Sequence, residues 1–180
     1  MFEQTDEKLI SKALDGHQRA WLKLVRRYEK PIYNYGLRMT GNADDAMDLM
    51  QEVFMSVFRN LASYRAQGSF KSWLFSIAHF RCVEFYRRRR HYQPLDEITE
   101  PVAEGDCVSE VLNANGRKQE LIGAMQSLPL EQKAVLELKF FGQFTFEEIA
   151  AQLGVSSNTV KSRLYAALGK LKVQLEVDYV

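Results

Sequence analysis

The stretch Thr145–Leu168, TFEEIAAQLGVSSNTVKSRLYAAL, decides how the rest of this chain is read. Thr145 is followed three residues later by Glu148, the pairing in which side chain and backbone satisfy each other at a helix start. Ala150 is small where a second helix has to cross. Gly154 suits the left-handed turn between the helices, and Val155, Val160 and Leu164 recur at the spacing that seats the second on the first. The stretch therefore predicts a helix-turn-helix. Its second helix exposes Ser156, Ser157, Asn158, Thr159, Lys161, Ser162 and Arg163. Short polar groups at a helix N-terminus approach phosphates, and Lys and Arg one turn later reach base edges in a major groove. From Ile149 to Leu175 there is no acidic residue to repel a nucleic acid. The alternative is a plain helical hairpin with a solvated polar face.

Helical spacing continues outward in both directions. Glycine and proline are sparse, so an all-α protein of two small helical domains is expected. GRKQELIGAMQSL and LEQKAVLELKFF precede the motif as two further helices. In the N-terminal half, Thr5 can cap a short helix closed by Gly16. A second runs from about His17 to Thr40, with Ala20, Trp21, Leu24, Val25 and Tyr28 on one side and a kink or interruption expected at Pro31. Asn42 or Asp44 caps a third, whose Leu49, Met50, Val53, Phe54, Val57 and Leu61 form a wide apolar face.

Net charge is +1, but it is unevenly spread. Residues 1–92 hold 16 Lys/Arg against 10 Asp/Glu, residues 93–116 hold six acids and no base, and residues 117–180 hold eight bases and seven acids. The acidic segment QPLDEITEPVAEGDCVSE carries two prolines and no sustained periodicity. It reads as a linker, 93–116, between an N-terminal domain, 1–92, and a C-terminal domain, 117–180.

The fourth helix is GSFKSWLFSIAHFRCVEFYRRRRHY, Gly68–Tyr92. On a helical wheel Leu74, Ala78 and Phe85 make the core stripe, while Trp73 and Phe80 lie roughly 100° or more away. Rings interleaved with Arg87, Arg88, Arg89 and Arg90 are what single-stranded nucleic acid requires: faces for unstacked bases and cations for the backbone. A solvated helix end favoured by the macrodipole is the bland alternative. On the third helix Asp45, Asp48 and Glu52 share one face with Gln51 beside it. That face would repel DNA and suits a basic protein partner, unless it is only solvated.

Other classes are set aside for want of parts. No apolar run approaches the roughly 20 residues that span a bilayer, and the acidic start MFEQTDEKLI lacks the pattern of a signal peptide, so a cytoplasmic protein without membrane insertion is expected. His79-x-x-Cys82 has no second ligand pair, and Cys82 and Cys107 read as ordinary thiols. With no phosphate-binding glycine loop and no nucleophile–base pair, neither enzyme nor cofactor is expected.

DDAMDLMQEVFMSVF, then YRAQGSFKSWLFSIAHFRCVEFYRRR, an acidic linker, and LPLEQKAVLELKFFGQFTFEEIAAQLGVSSNTVKSRLYAALGKL together resemble the extracytoplasmic-function group of sigma-70-family factors, from about residue 7 to residue 172. The resemblance implies a bacterial transcription initiation factor. Asp45, Asp48, Gln51 and Glu52 would meet the clamp helices of core RNA polymerase. The loop Tyr64–Phe70 and the helix after it, with Tyr64, Arg65, Phe70, Lys71, Trp73, Phe80, Arg87 and Arg88, would capture and help melt the −10 promoter element. Ser156 to Thr159, Lys161, Ser162, Arg163 and Tyr165 would read the −35 element. The linker would pass through the polymerase's basic RNA-exit region. Many relatives answer stress signals and are held inactive by an anti-sigma factor, often at the membrane. Three positions depart from the family pattern: Phe80 where Asn is frequent, Glu84 where Asp is common, and Ala166 where Arg is frequent. A stand-alone helix-turn-helix regulator is the second reading, disfavoured because a sensor domain needs neither the acidic face nor the aromatic–arginine helix.

Overall fold

The computed structural model describes residues 4–92 and 115–177, and its regular structure is helical throughout. The N-terminal domain holds α1 (Asp6–Leu14), α2 (Gln18–Thr40), α3 (Ala43–Asn60) and α4 (Phe70–Tyr92). The C-terminal domain holds α5 (Asn115–Gln126), α6 (Leu130–Leu136), α7 (Phe146–Leu153) and α8 (Ser157–Val177). The expected linker lies outside the described residues except for its last two positions, which open α5.

α2 and α3 form the frame of the first domain. Leu24, Ile32, Tyr35 and Met39 bury one face of α2 against Leu49, Val53 and Val57 of α3, with Leu9 and Ile10 of α1 closing one end. The helices cross where Gly36 meets Ala46. A Cβ on Gly36 would stand 3.1 Å from the Ala46 backbone, so the approach depends on glycine. Pro31 does not interrupt α2; helical geometry runs continuously through it. Asn42, not Asp44, caps α3: its side-chain oxygen accepts from the N–H groups of Asp44 (2.9 Å) and Asp45 (3.0 Å).

α4 departs from its wheel. The buried row runs Phe70, Leu74, Phe75, Ala78 and Cys82, and Phe85 is only half-buried, edge-on to Tyr86. The reason is that α4 packs against α2 and α3 on one side and α7 on another, so its buried surface is wider than a single stripe. Cys82 is buried deeply enough that its thiol is pushed up to about 12, which makes it inert packing.

In the second domain the helix begun by α6 widens after Leu136 into a π-helical turn over Glu137–Phe141. The Gly142 N–H donates to the Glu137 carbonyl at 3.0 Å and the Phe144 N–H to that of Leu138 at 3.1 Å. The helix-turn-helix follows as expected. Thr145 Oγ1 accepts from the Glu148 N–H (3.2 Å) while the Glu148 carboxylate accepts from the Thr145 N–H (2.8 Å). Gly154 takes φ +66°, and Val160 and Leu164 are buried. Thr145→Ala removes one of these two bonds and is expected to cost about 1 kcal/mol. A melting curve followed by circular dichroism should shift down by roughly 4–8 °C; no shift would mean the cap is not needed.

Candidate nucleic-acid interface

Serine chemistry opens α8. Ser156 accepts from the Thr159 N–H at 3.1 Å and its hydroxyl lies 2.9 Å from the Thr159 hydroxyl, so these two groups are occupied in starting the helix. Asn158, Lys161, Ser162 and Tyr165 are exposed, and Ser157 and Thr159 half-buried. Lys161 lies over the Phe146 ring (5.4 Å), which it shares with Lys139 (4.5 Å), placing two cations at one edge of the motif. Arg163 is turned back instead: its guanidinium pairs with Glu131 of α6 at 2.7 Å and is half-buried.

His79 of α4 lies near that pair, its Nδ1 buried with no hydrogen-bond partner. Burial pushes the imidazole down to about 4, with the Arg163 charge adding to the effect and Glu131 opposing it. Above the ordinary histidine value of about 6.5 the ring is neutral whether the protein is folded or not. Between there and about 4 the unfolded chain binds a proton that the folded one refuses, so stability falls as pH falls, and the slope ends near 4. Melting temperature should therefore drop more steeply across this window in the natural protein than in His79→Gln. Parallel curves would show that His79 titrates normally.

The −10 candidates fall into distinct groups. Tyr64, Phe70 and Trp73 form one aromatic cluster, with Tyr64 5.7 Å from Phe70 and 5.3 Å from Trp73. The Tyr64 hydroxyl donates to the Gly68 carbonyl at 2.9 Å, bracing the loop 64–69. Phe70 is buried, and its ring packs under the loop against Tyr64 and Trp73. Tyr64 and Trp73 are half-buried, and Arg65 is exposed. Lys71 points to the second domain, donating to the Gly142 carbonyl at 2.7 Å. Phe80 stands 57% exposed with the Arg81 guanidinium 5.6 Å from its ring, and Arg81 is held by Ser56 (2.7 Å) and Glu84 (2.6 Å). Arg87 is exposed.

The arginines and the acidic stripe, read separately from sequence, are brought together. Arg88 donates to both carboxylate oxygens of Glu52 (2.9 and 2.8 Å) and Arg89 to Asp45 (2.6 Å). Asp48 and Gln51 remain exposed. Beside them lies a feature that sequence reasoning missed. Met47, Met55 and Phe58 are 43%, 54% and 66% exposed, and with Gln51 they form a row along α3. Trp21 of α2 packs edge-on to Phe58 at 5.3 Å. The signal was available, because these three apolar residues lie outside the face assigned to the core. A row of bare apolar groups among carboxylates suits a protein partner.

The model described as Sigma-70 region 2 matches residues 24–92, and that described as Sigma-70, region 4 matches residues 118–171. The ECF RNA polymerase sigma factor SigE of Mycolicibacterium smegmatis is 34% identical over 178 residues, covering 94% of this chain and 69% of that protein. The chain belongs to the sigma-70 family of RNA polymerase sigma factors. The sigma factor YlaC of Bacillus subtilis is 33% identical, with 87% of this chain and 92% of that protein covered. Among solved structures, the sigma factor RpoE of Bartonella quintana in complex with the anti-sigma factor NepR superposes with a TM-score of 0.70 at 25% identity, over 87% of this chain and 96% of that one. CnrH in complex with the cytosolic domain of CnrY shares the fold, with a TM-score of 0.70 over 97% of this chain and 99% of that one. In this sigma factor the region 2 match takes in α3, the aromatic loop and α4, and the region 4 match takes in the helix-turn-helix. Such proteins initiate transcription and are not enzymes. No helix among the described residues is long and apolar enough to cross a membrane.

Proposed function

We propose that this sigma factor confers promoter specificity on core RNA polymerase through three separate surfaces. The α3 row, with Asp48 and Gln51 exposed beside Met47, Met55 and Phe58, docks on the polymerase, and Asp45 and Glu52 join it once they leave Arg89 and Arg88. Tyr64, Arg65, Trp73 and Phe80 receive the melted −10 strand, with Phe70 as support, Arg87 and Arg88 near its backbone and Lys71 free to join them when it leaves Gly142. Asn158, Lys161, Ser162 and Tyr165 read the −35 duplex, with Ser156, Ser157 and Thr159 at the phosphates and Arg163 available once it leaves Glu131. The division 1–92, 93–116 and 117–180 assigns polymerase and −10 contacts to the first part and −35 contacts to the last. The acidic middle part follows a basic path on the polymerase.

The observation that carries this reading is the pairing of two unlike surfaces on one domain. An acidic–apolar face suited to protein and an exposed ring suited to a base share the N-terminal domain, and a DNA-reading helix occupies the other. A stand-alone regulator has no use for the first two. RpoE of Bartonella quintana was solved with an anti-sigma factor, and an inhibitor of that kind is the expected regulator here. The test is transcription in vitro from fragments of the source genome, with core polymerase and the purified protein. Promoter-dependent transcripts are expected; their complete absence with folded protein would sink the reading.

A further inference from the structure

One charged face of the N-terminal domain has no place in the three surfaces above. Arg19, Lys23, Arg26 and Lys30 stand along α2 at spacings of four, three and four residues, and all four are exposed. At 100° per residue they fall within about 60° of one another, on a line about 16 Å long. Leu24, Tyr28, Ile32, Tyr35 and Met39, which α2 buries, lie on the opposite side. Glu29 is the single acid of α2, and it points roughly 90° from the line. None of the four cations makes an ion pair or side-chain hydrogen bond among the described residues. The next arginine round the helix shows the contrast: Arg27 donates to Asp6 and to the Gln4 carbonyl.

This arrangement does not serve stability. Like charges three and four residues apart repel on a helix. Arg19 and Lys23 also sit in the first two turns, where the helix dipole disfavours cations and no first-turn acid offsets them. A bare line of cations suits a partner whose own charge is a line. Phosphates of one duplex strand advance about 3.4 Å per nucleotide along the axis, so about 16 Å of helix meets roughly five of them. A protein partner fits less well, since lysine is depleted from such interfaces and no apolar residue interrupts the line between Arg19 and Lys30. A lipid surface also fits less well. Adsorbed helices turn an apolar face to the bilayer, and that of α2 is spent on α1 and α3. Leu22, 51% exposed on the flank of the line, is too little to anchor one.

We propose that this line on α2 is a seat for the phosphate backbone of duplex DNA, indifferent to base sequence and separate from the residues assigned to the −10 and −35 elements. Guanidinium and ammonium groups reach phosphate oxygens without touching base edges. The contact therefore adds affinity and position while leaving the choice of sequence to α4 and α8. Each phosphate neutralised releases counterions, so the hold weakens as salt rises. A protein held in this way can slide along DNA before either element is met. The seat does not depend on the −10 and −35 assignments being right.

Fluorescence anisotropy of the full chain on a labelled duplex without promoter sequence tests the seat, with affinity measured from about 50 to 200 mM salt. Arg19→Gln, Lys23→Gln, Arg26→Gln and Lys30→Gln together should flatten the slope of log affinity against log salt by about 3, close to 0.9 for each of four phosphates. Binding at about 100 mM should weaken at least tenfold. The four positions are exposed, so the melting temperature should hold or rise as repulsion is relieved. Lys8→Gln, Lys12→Gln, Arg59→Gln and Lys118→Gln, at exposed sites off the line, remove the same charge and should change the slope by less than about 1. Arg19→Lys with Arg26→Lys keeps the charge and should bind as the natural protein does. Should the fourfold variant lose helix content by circular dichroism, Lys23→Gln with Lys30→Gln is measured instead, with a slope change of about 1.8 expected. An unchanged slope in folded variants, or an equal loss in the control off the line, would overturn the seat. So would unchanged DNA affinity beside lost binding to phosphatidylglycerol vesicles, which would assign the line to lipid.

Discussion

Phe80→Ala is expected to leave the protein as stable as before and to weaken open-complex formation by roughly 5- to 150-fold, the effect of losing one base stacked on an aromatic ring. The ring is 57% exposed and belongs to no core cluster, so its removal should change stability by no more than about 0.5 kcal/mol. Closed complexes depend on duplex contacts made elsewhere and should form with little change. Permanganate reactivity of the −10 thymines measures the melted state, and band shifts on ice measure the closed one. Phe80→Tyr keeps the stacking face and should retain most of the activity. Equal loss in both assays would show that Phe80 does not meet the melted strand. A lower melting temperature would show that it is structural after all.

Leu74→Ala, six residues earlier on the same helix, should do the reverse. Leu74 is wholly buried between α4 and the α2–α3 frame. Truncating a buried leucine removes apolar contact and leaves a cavity that neighbours fill only in part, a loss of about 3–5 kcal/mol. For a domain of this size that lowers the melting temperature by roughly 10 °C or more. At temperatures where the variant remains folded, transcription should stay near the natural level. A melting temperature within a degree or two of the natural protein would mean that α4 is not anchored through this residue.

The contrast between these residues marks where sequence was readable. The helix-turn-helix was legible almost atom by atom, because Thr145, Glu148, Gly154 and Val160 act within about fifteen residues of one another and each has one local physical use. α4 was only half legible. A wheel separates one buried side from one exposed side, and it set Phe80 apart correctly, but α4 is covered from two directions. That placed Cys82 in the core and left Phe85 partly in solvent. Long-range pairing was not legible at all. Nothing local says that Arg88 reaches Glu52 or that Arg38 reaches Glu137, 99 residues away. The opposed charges read as two surfaces because sequence shows each helix alone. Met47, Met55 and Phe58 fell outside both the apolar face and the acidic face assigned to α3, and so were given no role.

The chain has two tryptophans. One, Trp21, packs on Phe58 at the edge of the apolar row of α3; the other, Trp73, lies against Tyr64 beneath the loop 64–69. The protein therefore carries one tryptophan beside each of its two dissimilar N-terminal surfaces. With Trp21→Phe, emission comes from the loop and should be quenched when a base stacks there. With Trp73→Phe, it comes from α3 and should shift to the blue when a protein covers that row. The order in which polymerase and promoter arrive can then be followed in real time, with no dye attached.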